Sequence, residues 1–166
     1  MTGEEYLKIF KAEAEKGHVH VLAPTQMQGY TNEPSNLAEF YQLVDEVVQK
    51  GSADRNRVFL MGTSSGGLIA RWLALNRPAF WRGVILVASP TSEAWTSQLK
   101  DSSGFPSVLF VQGGKDAQSS VEEAKRHVEI LKQKGIDAEL FLDPDAGHTH
   151  SPTWNQKIFD WIKDHS

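Results

Sequence analysis

The stretch Arg57-Val58-Phe59-Leu60-Met61-Gly62-Thr63-Ser64-Ser65-Gly66-Gly67-Leu68-Ile69 decides the fold. The run from Arg57 to Met61 is apolar past its first residue, which predicts a buried strand. Leu68, Ile69, Trp72 and Leu73 then follow at helical spacing. Between strand and helix, Gly62-Thr63-Ser64-Ser65-Gly66 forms the G-x-S-x-G pattern, a sharp turn that pushes a serine hydroxyl out at the carboxyl end of a sheet. Gly62 and Gly66 are read as leaving room for that turn, where side chains would collide with neighbouring backbone. The helix starting beside Ser64 presents a positive dipole end to a developing oxyanion, and the Ser65 N–H is its natural first donor.

Four more apolar runs lie on either side of this turn: His18 to Ala23, Gly83 to Ala88, Ser107 to Gln112 and Ala138 to Leu142. Amphipathic stretches separate them. Leu37, Phe40, Tyr41, Val44, Val47 and Val48 make one helical stripe, and Val121, Ala124, Val128 and Leu131 make another. Trp154, Ile158, Trp161 and Ile162 make a third, and Tyr6, Phe10 and Ala14 suggest an opening helix ended by Gly17. Alternation of this kind predicts an α/β fold, with about five parallel strands covered by helices on both faces. At 166 residues the chain is expected to be a single domain over 1–166.

A serine hydroxyl needs a base, and the base needs a carboxylate to orient it. The run ending at Gln112 leads into Gly113-Gly114-Lys115-Asp116, and the run ending at Leu142 leads into Asp143-Pro144-Asp145-Ala146-Gly147-His148. Both loops leave carboxyl ends of strands, as Ser64 does, so Asp116 and His148 are the expected acid and base. Asp143 and Asp145 are rival acids near His148, but turn formation around Pro144 accounts for them. His18 and His20 alternate on a run read as a strand and so point to opposite faces, which disfavours a shared metal. His127 falls in a charged helix and is expected to be exposed, and His150 is read as a loop or substrate-side residue.

The elbow, the segment Asp54-Arg55-Asn56-Arg57 before it, Gly113-Gly114-Lys115-Asp116 and Gly147-His148 together resemble the α/β-hydrolase superfamily. The likeness is to its carboxylesterase, dienelactone-hydrolase and phospholipase-like serine esterases and covers about residues 5 to 165. It implies Ser64 as nucleophile, His148 as general base and then acid, and Asp116 as the group fixing the imidazole. It also implies no metal or organic cofactor, and Trp95 in a segment that often shapes the acyl pocket. The family's first three strands have no counterpart, which makes His18–Ala23 its fourth and leaves the place of the third open. The oxyanion loop after that third strand is missing too, so Thr25 or Gln26 is the expected substitute for its second donor.

Composition bounds the partners. Seventeen Lys and Arg against 21 Asp and Glu give a net charge of −4, which argues against a general nucleic-acid binder. With no cysteine, disulfides, zinc-thiolate sites and cysteine nucleophiles are excluded. No apolar run approaches a membrane span, and Met1-Thr2-Gly3-Glu4-Glu5 is not a signal peptide, so a cytoplasmic location is expected. The expectation is therefore a serine esterase for carboxylic esters of short to medium acyl chain, with a small-molecule substrate. A homo-oligomer completing the sheet is the expected protein partner. The competing reading is a weak or silent α/β-hydrolase fragment or interaction module.

Overall fold

Four of the five apolar runs pair as strands in the computed structural model, which describes residues 2–24, 34–51, 53–91, 93–99 and 102–166. These are β1 (Phe59–Thr63), β2 (Gly83–Val87), β3 (Ser107–Gly113) and β4 (Ala138–Asp143). They lie side by side in chain order and every pair is parallel, with Gly62 beside Leu86, Leu86 beside Phe110 and Phe110 beside Leu140. Parallel neighbours require crossovers. Helices α1 (Gly3–Gly17) and α2 (Pro34–Lys50) precede β1. Helix α3 (Gly66–Asn76) carries the chain to β2, α4 (Glu93–Ser97) to β3 and α5 (Val121–Gln133) to β4, and α6 (Asn155–Asp164) closes it.

The pleat divides the core into two layers, because successive side chains point to opposite faces. Val84, Leu86, Val108 and Phe110 pack with Leu73 and Ala74 of α3 and Leu131 of α5. Ile85, Val87, Leu109 and Val111 pack on the other face with Trp154, Ile158 and Trp161. Both central strands are therefore apolar on both faces through their middles rather than alternating, as a sheet covered on both sides requires. Each fully buried Val, Leu or Ile contributes about 1.5–3 kcal/mol, which makes β2 and β3 the rigid floor beneath the loops that follow them. Among the described residues no helix is long and apolar enough to cross a membrane.

The run from His18 to Ala23 corrects the expectation of five strands. His18 caps α1 in the left-handed region at φ 52°, and residues 19–24 pair with no strand among the described residues. An apolar run supplies the side chains of a strand, but its backbone N–H and C=O groups also need a neighbouring ladder. Instead, a cleft of about 1680 Å³ is lined both by β1 and by the stretch from Val19 to Pro24. Direct pairing of that stretch with β1 does not close the gap.

Candidate active site

Because all four strands are parallel, the loops leaving β1, β3 and β4 emerge at one end of the sheet. Ser64 follows β1 directly, with a positive φ of 52°, in the left-handed region that a non-glycine residue rarely adopts. Two backbone bonds hold it there: the Ser64 N–H donates to the Val87 carbonyl at 2.9 Å, and the Gly67 N–H donates to the Ser64 carbonyl at 3.0 Å. Gly62 makes the turn feasible, since a Cβ there would lie 2.3 Å from the Gly66 carbonyl oxygen. Gly66 differs from expectation: a Cβ at that position would meet nothing within 4 Å. Within the motif the crowding that excludes a side chain therefore lies at Gly62, while the next tight glycine is Gly67, whose Cβ would lie 2.0 Å from Ser89 Oγ.

The loops carrying Asp116 and His148 are laced together. The Gly114 N–H donates to the Asp143 carbonyl at 2.7 Å and the Lys115 N–H to the Ala146 carbonyl at 2.8 Å. A Cβ on Gly113 would sit 2.5 Å from the carbonyl oxygens of Ala146 and Gly147, so glycine permits that approach. Ser64 Oγ lies 2.9 Å from His148 Nε2, and His148 Nδ1 lies 2.9 Å from Asp116 Oδ2 and 3.1 Å from Oδ1. A carboxylate can only accept here, so Nδ1 carries the proton and Nε2 turns its lone pair to the serine.

Asp116 has four further donors. The N–H groups of Gln118 and Ser119 bond Oδ1 at 2.7 and 2.9 Å, while Ser119 Oγ–H and Gln112 Nε2–H bond Oδ2, the latter at 2.9 Å. Its side chain is fully shielded from solvent. Burial alone would raise its pKa, but the hydrogen bonds from Ser119, Gln118 and His148 outweigh that and hold the carboxyl well below the usual carboxylate range. Gln112 and Ser119 are site residues that the motifs do not single out. A glutamine ending the apolar run Phe110-Val111-Gln112 is the available signal, since a buried amide must have partners.

The rival acids are engaged elsewhere. Asp143 Oδ2 accepts from Trp154 Nε1 at 2.8 Å, and Asp145 pairs with Lys115 at 2.7 Å on the surface. The Ser65 N–H has no acceptor among the described residues, and Ser65 stands at the N-cap of α3. Thr25 and Gln26 lie outside the described residues.

Trp95 is not brought to Ser64. It is 4% exposed in the core, stacked on His127 and set against Phe110, and it is not among the residues lining the cleft that Ser64 faces. Arg71, itself buried, lies 5.6 Å above the Trp95 ring, and burial pushes its guanidinium down to about 10. His127 is also buried rather than exposed: spacing of three from Ala124 and four from Leu131 puts it on the apolar stripe of α5. His150 is buried as well. Its Nε2–H donates to Asn155 Oδ1 at 2.8 Å among the rings of Tyr6, Phe10 and Trp154, and Asn155 in turn donates to the Ile9 carbonyl. It fastens α1 and α6 to the His148 loop instead of facing substrate.

The profile of the prolyl oligopeptidase family matches residues 30–105 and 94–166, most of the chain. The chain belongs to the prolyl oligopeptidase family. Among curated proteins it is similar to a putative hydrolase, MhqD, of Bacillus subtilis (strain 168), with 27% identity over 127 residues. That match takes in 76% of this chain and 62% of the relative, so the chain spans about three fifths of the relative's length. Solved structures share the α/β-hydrolase fold. The Bacillus cereus carboxylesterase superposes with a TM-score of 0.71 at 17% identity, covering 100% of this chain and 84% of its own. A predicted CIB-like hydrolase from Thermoplasma acidophilum gives 0.69 at 19% identity, with 99% and 82% covered. SOBER1 from Arabidopsis thaliana gives 0.61 at 22% identity, with 79% and 63% covered. The fold is thus a reduced α/β-hydrolase fold, as the sequence resemblance implies.

Proposed function

We propose that this prolyl oligopeptidase family member is a serine hydrolase that cleaves carboxylic esters of short to medium acyl chain. One observation carries the reading: an unbroken hydrogen-bonded path from Ser64 Oγ through both ring nitrogens of His148 to an ionised, multiply anchored Asp116. In the proposed reaction His148 Nε2 takes the Ser64 proton as Oγ bonds to the ester carbonyl carbon. The carbonyl oxygen becomes an oxyanion facing the Ser65 N–H, and Thr25 or Gln26 is the proposed second donor. Collapse breaks the bond to the alcohol oxygen, which leaves with the proton from His148. Water then attacks the acyl-serine, giving its proton to His148, and the second collapse releases the acid and returns the proton to Ser64. Asp116 stays ionised throughout and holds the Nδ1 proton in place.

The acyl-length preference rests on the connection from β2 to β3, whose described helix is the five-residue α4. A connection of that size offers little cover for a long alkyl chain. Hydrolysis of p-nitrophenyl acetate, butyrate and palmitate tests this: kcat/KM is expected to peak at acetate or butyrate and to fall for palmitate. A maximum at palmitate overturns the preference. The family match favours peptide-bond cleavage as the second reading, and the same groups would carry it out. Faster release from an aminoacyl p-nitroanilide than from either short ester would select that reading instead.

A further inference from the structure

At the opposite end of the sheet from Ser64, three side chains from two elements converge on one point. Asp137 immediately precedes β4, Glu139 is two residues on and so shares its face, and His165 caps the C-terminus of α6. His165 Nε2 lies 3.0 Å from Asp137 Oδ2 and 3.6 Å from Glu139 Oε1, and the three ligand atoms all lie within 4.8 Å of one another. Ligands on a tetrahedral ion with bonds of about 2.0–2.2 Å stand about 3.4 Å apart, which the distances of 3.0 and 3.6 Å from His165 to the two carboxylates bracket.

The chemistry of the donor set sharpens the case. His165 Nδ1 lies 2.8 Å from the Trp161 carbonyl, which can only accept, so Nδ1 carries a proton and Nε2 directs the remaining ring position at the two carboxylates. A ring nitrogen bonded to a backbone carbonyl is the arrangement that orients metal-ligating histidines. Trp161 fixes the other partners as well. Its ring stacks on His165 with centroids 4.2 Å apart, and its Nε1–H donates to Glu139 Oε1 at 3.0 Å. His165 is the cation-capable group that pairs with both carboxylates, and the nearby Arg82 donates its Nε–H to the His165 carbonyl at 2.6 Å. The C-terminal end of α6 adds a partial negative charge of its own.

We propose that Asp137, Glu139 and His165 form a three-ligand binding site for a divalent first-row transition ion, with Zn²⁺ as its best match. An imidazole nitrogen and two carboxylate oxygens suit that ion, and water would complete the fourth position. The ion would staple the last turn of α6 to the start of the edge strand β4. A six-residue strand separates this site from the His148 loop by about 20 Å, so it stands apart from the proposed chemistry.

The test titrates untagged, chelator-stripped protein with ZnCl₂ by calorimetry at pH 7.5 and follows the thermal midpoint. The parent is expected to bind one equivalent and to melt higher with zinc. The affinity should fall by at least about tenfold in His165→Ala and in Asp137→Asn, and stay unchanged in His148→Ala. Asp137→Asn is exposed and serves as the variant that keeps the fold if losing the His165–Trp161 stack does not. Absence of saturable binding in the parent overturns the proposal. So does parent-like binding in Asp137→Asn, or binding that disappears with His148→Ala.

Discussion

Asp116→Asn is expected to lower ester turnover by roughly 10⁴-fold while the protein stays folded. The reason lies in the donors around the carboxylate. Gln118 N–H and Ser119 N–H require an acceptor at Oδ1, so the asparagine oxygen takes that place and its NH₂ group falls where Oδ2 stood. That NH₂ then meets Gln112 Nε2–H and His148 Nδ1. Donating to Nδ1 forces the imidazole proton onto Nε2, which can no longer accept the Ser64 proton. Asp143→Asn and Asp145→Asn should leave turnover within a few fold, because those carboxylates bond Trp154 and Lys115. If Asp143→Asn or Asp145→Asn is the crippling change, Asp116 is not the acid.

The same substitution has a signature in stability against pH. The folded-state pKa of Asp116 lies below its unfolded value, so the unfolded chain binds the proton first as pH falls. Its contribution is therefore complete at neutral pH and is lost on acidification below about pH 4. The thermal midpoint of the parent should exceed that of Asp116→Asn at pH 7, and the gap should begin to narrow as pH falls from 4 to 3. A gap independent of pH would mean the ionised carboxylate is not what the anchoring bonds stabilise.

Gly62→Ala is expected to break the elbow. The new Cβ would lie 2.3 Å from the Gly66 oxygen, 2.5 Å from the Gly66 carbonyl carbon and 2.7 Å from the Gly67 nitrogen, all of them backbone. No side-chain rotation relieves such contacts, so the first turn of α3 must shift, and with it Ser64 and the Ser65 N–H. Overpacking of this kind costs about 1–3 kcal/mol and often more where backbone must move. Gly66→Ala provides the contrast: it meets open space and should change stability by about 0.5 kcal/mol or less. Denaturant midpoints of the two variants measure the difference, and equal destabilisation would contradict a crowded Gly62 and an open Gly66.

What is legible from residues alone is whatever depends on chain order and local pattern. The apolar runs at Gly83–Ala88, Ser107–Gln112 and Ala138–Leu142 are strands because their backbones find parallel neighbours. Once those strands are parallel, the loops bearing Ser64, Asp116 and His148 must share one end, so the convergence of the three follows from topology. What stays hidden depends on tertiary partners. His18–Ala23 has strand composition but no ladder, and Trp95 lies in the expected segment yet turns into the core. Two further signals are present in the residues themselves. Helical spacing sets His127 on the buried stripe of α5 despite its charged neighbours, and Gln112 ends an apolar run where its amide must find partners. The open space beside Gly66 is visible only in three dimensions, since G-x-S-x-G treats both glycines alike.

The central claim is that Ser64 is an activated nucleophile, and intact-mass analysis after fluorophosphonate treatment tests it without knowledge of the natural substrate. The parent is expected to gain the mass of one adduct, and Ser64→Ala, folded to the same degree by circular dichroism, is expected to gain none. An unmodified parent, or an adduct that survives in Ser64→Ala, would contradict the account.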